Sequence, residues 1–329
     1  MINELNDLYG VSGLENDVRL YINEKIKGLC DETYIDSIGN LHAIKNNGNK
    51  NICLVTNMDE PGVIITKITD DGYLKFDTVG RINPSFLISK KISINGITGI
   101  ISLKAIHLAS KEERKKAVKA EQLFIDIGAK SKDDAEQIVD IGDYGVIQEE
   151  YSVLNNNFIK GRALGGRAGC IVAIDLLKQE LKCNLHVIFS VQREINNRGI
   201  SVGINDICAD LAVVFDGIEA ADYHITQNRP ESGKGCILLN RTGAGNMSID
   251  KISVLNNLAN NSNISIQNHI TTEKGPEYEI IKNTSIKECV CIGLPVKYIR
   301  SSSQVANLSD IESMYKLSLI LLNKVIKGC

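Results

Sequence analysis

The chain has 329 residues, 43% of them hydrophobic, and its 37 Lys and Arg against 40 Asp and Glu leave a net charge of −3. That length supports a sizeable core, as two domains or one large one, and the near-balance of charge argues against a nucleic-acid or membrane partner recruited electrostatically. The lack of Trp and the 5% aromatic content also weigh against a base-stacking surface.

The first residues, Met1 to Asp7, carry neither the basic nor the apolar half of a secretory signal, and no stretch reaches the length of a membrane span. A cytoplasmic location is expected. Ser12-Gly13-Leu14-Glu15 has the form of a capping box with Ser12 as N-cap. Leu14, Val18, Tyr21, Ile22 and Ile26 then recur at helical spacing, which predicts a helix to about Leu29 with Glu15 and Arg19 paired on its outside. Two short apolar runs, 41–44 and 51–56, read as strands.

From Gly62 the texture alternates, as in Val63-Ile64-Ile65-Thr66-Lys67-Ile68, and is broken by Asp71-Gly72, Asn95-Gly96 and Gly142-Asp143. These are hairpin signals, so residues 62–156 are expected to form a small β-barrel domain. The charged stretch 110–119 reads as a solvated loop within it. After Gly161 the pattern becomes α/β, with a helix over 168–181, apolar strands over 185–191, 211–215 and 290–294, and a closing amphipathic helix from Asp310 to about Ile326. Such alternation predicts a mixed, largely parallel sheet flanked by helices. The strands before Gly62 must pair with those after Gly161. Residues 1–61 and 157–329 are therefore expected to form one α/β domain with the barrel inserted into it.

The nine cysteines are scattered, odd in number and free of any CxxC pair, the usage of reduced, mostly buried thiols. In open α/β sheets, ligands bind beyond the carboxyl ends of the strands. The 51–56 strand delivers Asn57 and Asp59 there, the 185–191 strand delivers Arg193 and Glu194, the 211–215 strand delivers Asp216, and the 290–294 strand leads to Arg300. Strand-end solvation accounts for any one of these, and a shared cleft accounts better for the set.

Several segments carry a wider likeness: Gly10 to Arg19, Asp36 to Leu41, Thr56 to Glu60, Leu123 to Ala129, Gly161 to Cys170, Val191 to Glu194, Leu294 to Ser301 and Asn307 to Glu312. Together they resemble the tetrahedral (TET-type) glutamyl/deblocking aminopeptidases, a family of dinuclear metallopeptidases. The resemblance implies two divalent ions sharing a bridging Asp, each with a His and a further carboxylate, and a Glu that takes a proton from metal-bound water. Matched motif by motif, the first His falls on Asn57 and its supporting Asp on Asp59. The bridging Asp falls on Gly165, the general base on Arg193, the ligand Glu on Glu194, the next ligand Asp on Asp216, and the last His on Arg300. Glu194 and Asp216 alone keep a ligand. Asn57 offers a weak carbonyl oxygen, Gly165 offers nothing, and an arginine neither ligates nor accepts a proton. The substrate loop also looks altered, to Lys274-Gly275-Pro276-Glu277-Tyr278. None of His42, His107, His186, His224 and His269 falls on a ligand position, and His186 in its apolar strand reads as structural.

The substitutions look compensating. Without metal, Asp59, Glu194 and Asp216 leave uncompensated negative charge, which Arg193 and Arg300 can offset by bridging the carboxylates. A unit pair ~4 Å apart interacts by roughly 4 kcal/mol at an effective dielectric of about 20, before desolvation. The bland alternative is that both arginines face solvent. The leading expectation is a homologue without metal-dependent peptidase activity, acting in assembly, peptide binding or regulation. The second is an aminopeptidase with a rebuilt site, and the third a two-carboxylate glucanase using Asp59 and Glu194. No cofactor is expected under the first; the alternative is one divalent ion (zinc, cobalt or manganese) on Glu194 and Asp216. Expected partners are other copies of the chain, as a dimer through the barrel or a larger particle, an active relative, and peptide.

Overall fold

The computed structural model describes residues 1–104, 117–220, 229–242, 245–247, 249–271, 277–281 and 284–327. Its central sheet has nine strands. Across it run Glu32–Ile35, Leu41–Lys45, Asn184–Ser190, Asn51–Asn57, Leu211–Glu219, Cys289–Val296, Cys236–Thr242 and Gly245–Asn246, with Ile266–Ile270 beside Cys236–Thr242. The four middle strands, from Asn184–Ser190 to Cys289–Val296, are parallel, and Leu41–Lys45 and Cys236–Thr242 flank them antiparallel. As predicted, strands from before residue 62 pair with strands from after 161. All four parallel strands end on the same side, which brings Asn57, the 191–194 segment and Asp216 to one mouth.

Both faces of this sheet are covered, and that explains why its inner strands are apolar throughout rather than alternating. Ile52, Leu54, Val213 and Phe215 pack into the larger core under the helices Leu164–Leu177, Leu308–Lys327 and Asn16–Ile26. Their neighbours Cys53, Val55, Ala212 and Val214 point to the opposite face, against Ile200, Ile204 and Ile281. The period of two is that of any strand; only the burial is two-sided.

The inserted segment closes a six-stranded barrel: Gly62–Ile68, Leu74–Val79, Leu123–Asp126, Ile97–Leu103, Lys91–Ile94 and Tyr144–Ile147. It has its own core, including Val63, Ile65, Leu74, Ile92, Ile101 and Ile125. At Asn95-Gly96 both residues are left-handed, with φ of 50° and 81°, which is what the tight turn between two twisted strands requires. A second junction ties the barrel to the sheet-bearing part. The Glu149 carboxylate takes bonds from Lys90 at 2.8 Å and Lys160 at 2.6 Å, and these hold it at about 2 although burial opposes them.

Several expectations need correction. Gly142-Asp143 is not a hairpin; it follows the helix Lys132–Glu136 and turns into Tyr144–Ile147, which pairs with Gly62–Ile68 and Lys91–Ile94. The dipeptide marks a turn and does not say what it joins. The capping box is absent: the helix begins at Asn16 and ends at Ile26, and the Ser12 hydroxyl donates to Asp59 instead. Glu15 is buried and accepts from the backbone N–H of Gly13 and Gln192, while Arg19 donates to Gly39 and Asn16, so no outward Glu15–Arg19 pair forms. The helix expected over 168–181 runs over Leu164–Leu177. Glycine's poor helix propensity hid its first turn, yet there the absence of side chains is what lets the helix press on the sheet. The helix Ile2–Asp7, the edge strand Glu32–Ile35 and a small sheet of Ser152–Val153, Phe158–Gly161 and Gln304–Asn307 were not foreseen. Of the charged stretch 110–119, residues 110–116 lie outside the described residues. Among the described residues no helix is long and apolar enough to cross a membrane.

Candidate functional site

At the strand mouths the chain turns sharply and strains its backbone. Ala163, Gln192 and Tyr298 have left-handed φ of 46°, 53° and 57°, although none is glycine or asparagine. Each precedes a position singled out in the sequence: Gly165, Arg193 and Arg300. Backbone of this kind costs about 1–3 kcal/mol per residue and persists where the surroundings over-determine it.

Asp59 anchors the first turn. It is 2% exposed, its Oδ2 accepts from the Ser12 hydroxyl and from the Glu194 N–H at 2.9 Å, and its Oδ1 accepts from Asn57 Nδ2 at 3.1 Å. Burial raises its pKa, and the Glu194 charge adds to that. Asn57 thus spends its amide N–H groups on Asp59. Gly166 lies against it so closely that a Cβ there would sit 2.8 Å from the Asn57 side chain.

Arg193 is the centre of the second turn. Its Nη1 donates to Glu194 Oε1 at 2.7 Å, and its Nη2 reaches both oxygens of Asp216, at 2.9 and 2.7 Å. Burial disfavours its charge, but the Asp216 and Glu194 carboxylates outweigh that and hold the guanidinium well above its usual range. Asp216 is pulled upward by burial and held back by the Arg193 bond. The remaining Glu194 oxygen accepts from the Arg81 backbone N–H at 3.2 Å, which brings the barrel to the site. Arg300 lies apart from this triad in character: it is exposed, in the turn after Cys289–Val296, and its carbonyl accepts from the Asn83 N–H at 3.2 Å. The two arginines therefore do not share one environment.

Gly165 is pressed against the strand Leu211–Glu219. A Cβ built on it would lie 2.5 Å from Gly217 Cα and 2.6 Å from Gly217 N. With this backbone a side chain at 165 has no room, so glycine there and the close helix–strand approach go together.

The structure adds residues that sequence reasoning missed. Glu277 is 2% exposed and receives a hydrogen bond from the Ser190 hydroxyl at the end of Asn184–Ser190. Burial pushes its carboxyl up to about 8, and the Asp216 charge contributes, while Ser190 and Arg193 oppose the shift. Nothing in the sequence distinguished it from the rest of the 274–278 loop, of which 274–276 lie outside the described residues. Ser190 did carry a signal, as the one polar residue closing an apolar strand. Ser12 and Glu15 were read as helix-capping residues and instead brace Asp59 and the 192–194 turn.

The donors present do not fit two divalent ions. Asn57 turns its amide nitrogen on Asp59, Gly165 has no side chain and no room for one, and a cationic guanidinium lies on Glu194 and Asp216, the two carboxylates that the resemblance implied as ligands. Among the described residues no three His, Cys, Asp or Glu side chains converge to hold an ion. The histidines stand elsewhere: His42 Nδ1 meets His186 Nε2 at 2.9 Å on the sheet, with Asp36 behind it at 3.3 Å. His107 and His224 lie outside the described residues.

Comparison with known proteins adds the family context. The family model described as M42 glutamyl aminopeptidase matches residues 39–317. A provisionally named aminopeptidase of Acetivibrio thermocellus is 30% identical over 330 residues, covering 96% of each chain. The TET aminopeptidase of a marine-sediment Thaumarchaeota archaeon has a TM-score of 0.93 at 27% identity, covering 99% of this chain and 98% of that one. The TET1 peptidase of Pyrococcus horikoshii, described as assembling into a tetrahedron or a large octahedral shell, has a TM-score of 0.87 at 29% identity over 97% of both chains.

Proposed function

The chain belongs to the M42 glutamyl aminopeptidase family, and we propose that it is a member in which an arginine has replaced the metal ions and metal-dependent peptidase activity is absent. The observation that carries this reading is the Arg193 guanidinium, bonded at 2.7 Å to Glu194 and at 2.7 and 2.9 Å to Asp216. A guanidinium stays protonated at any working pH, so it neither ligates nor accepts a proton from water, and it repels a divalent cation. The missing side chain at Gly165 and the amide at Asn57 support the same conclusion. What remains is one guanidinium holding two carboxylates on a peptidase scaffold, suited to assembly, peptide binding or regulation rather than turnover.

Metal analysis of the purified chain, paired with release of N-terminal residues from peptides, tests the proposal. The expected result is no stoichiometric zinc, cobalt or manganese and no metal-dependent release. A stoichiometric ion, with turnover abolished by Glu194→Ala, would overturn it.

Self-assembly belongs to the same reading. The Pyrococcus horikoshii neighbour is described as forming closed particles, and the 62–156 segment leaves Phe86, Ile97, Ile100 and Ile141 more than a third exposed. These support the barrel as a contact surface between copies of this chain. A monomer in light scattering at micromolar concentration would remove that part of the proposal.

A further inference from the structure

Between the barrel and the sheet-bearing part lies a cavity of about 10 Å³, lined by Glu60, Ile82, Ile147, Arg162, Ser301 and Ser302. That is room for about one water-sized sphere. Two of its lining side chains are incomplete. Arg162 and Ser302 are 3% and 7% exposed, and Arg162 Nε and Ser302 Oγ are buried without a hydrogen-bond partner. Arg167, 1% exposed, also leaves Nε and Nη1 unpartnered. Buried donors are seldom left dry, so a guest is called for.

Charge indicates which kind. Arg162 and Arg167 share a single carboxylate, Glu60, at 3.0 and 3.7 Å. Lys90 and Lys160 likewise share Glu149, at 2.8 and 2.6 Å. The 301–303 segment touches both groups, since Ser302 lines the cavity and the Ser303 hydroxyl donates to Glu149. Asp59 also acts on Arg167 as a further negative charge, while its oxygens are hydrogen-bonded by Ser12, Asn57 and the Glu194 N–H. Glu60 lines the cavity as an acid already bound by two guanidinium groups. At the cavity itself two buried guanidinium groups share one ion-paired carboxylate, and buried charge requires a counter-charge.

We infer that the cavity is a binding site for one small monovalent anion of the halide class, received by Arg162 Nε–H and Ser302 O–H. Its size suits a monatomic anion, and Ile82 and Ile147 give it the apolar wall that a weakly hydrated halide tolerates. Occupancy would tie the barrel to Ala163 and Ser301, the neighbours of the turns that carry Gly165 and Arg300. The inference concerns the junction and does not depend on whether the strand-mouth site holds metal.

Thermal unfolding of the full chain in sodium chloride and in sodium gluconate, at equal ionic strength, reads the effect. At about ten times the Kd, chloride is expected to raise Tm by about 2–3 °C, and Ser302→Ala should cut that rise. In crystals soaked in bromide, an anomalous peak is expected within hydrogen-bond reach of Arg162 Nε and Ser302 Oγ, and it should be lost in Ser302→Ala. A cavity holding only water under bromide, or equal Tm values in the two salts, would overturn the assignment.

Discussion

Two guanidinium clusters lie on either side of the 57–60 turn, and their imbalances are opposite. Around Arg193, a single cation serves Glu194 and Asp216, with the acids Asp59 and Glu277 near by. Around Glu60, a single carboxylate serves Arg162 and Arg167. The first cluster can relieve its excess by taking up protons, because carboxylates titrate in the accessible range. The second cannot, because guanidinium groups do not release protons there. The same ion-pair chemistry is thus adjustable by pH at the strand mouths and fixed at the junction, where an outside anion is the remaining source of relief.

The largest effect is expected from Glu60→Gln, which strips the shared counter-charge from two guanidinium groups that are 4% and 2% exposed. A loss of about 3–5 kcal/mol in urea unfolding is expected, equal at pH 6 and pH 8, a range in which arginine does not titrate. A deficit that shrinks with pH would break the contrast between the clusters. Arg193→Met comes next, at about 2–3 kcal/mol near neutral pH, because its partners are 12% and 8% exposed. Its deficit should shrink in acid. With the cation gone, the buried carboxyls bind protons more readily folded than unfolded, so stability is recovered as pH falls. A deficit flat with pH would count against the carboxylates' being held ionised by Arg193.

Glu277→Gln sharpens the comparison with an effect graded by pH. The Glu277 pKa is raised to about 8 in the folded chain by burial. A carboxyl raised in this way stabilises the fold below its unfolded value and loses that contribution as pH rises through its folded one. The wild type should therefore lose up to about 1.4 kcal/mol per pH unit between about pH 5 and pH 8 relative to the variant, whose amide keeps the neutral shape. Parallel stability–pH curves for the two proteins would show that Glu277 is not protonated in the folded state.

Much of the fold was legible because two-sided burial leaves a plain record in sequence. Runs such as 52–55 and 211–215 are apolar at every position, and Asn95-Gly96 states its turn in two letters. The charge-reversing residues at the strand mouths were legible for the same reason, as polar residues at the ends of apolar runs. The Leu164–Leu177 helix was misread at its start because Gly165-Gly166 weakens a helix on its own. Its value lies in contact with Gly217 and Asn57, which are distant in the chain. Glu15 was misread because a carboxylate three residues after a serine looks like a local cap, whereas here it reaches the Gln192 N–H across the site.

By itself the amino-acid sequence determined the α/β class, the barrel's place within it, and which strand mouths carry glycine, amide and guanidinium. These are matters of residue type and period, which each segment carries alone. Tertiary structure decided which charges meet. Arg193 lies on Glu194 and Asp216, Arg300 is exposed, Glu277 is buried beside Ser190, and two arginines are left sharing Glu60. Ion pairing depends on distances and desolvation set by strands far apart in the chain, and no local pattern encodes those.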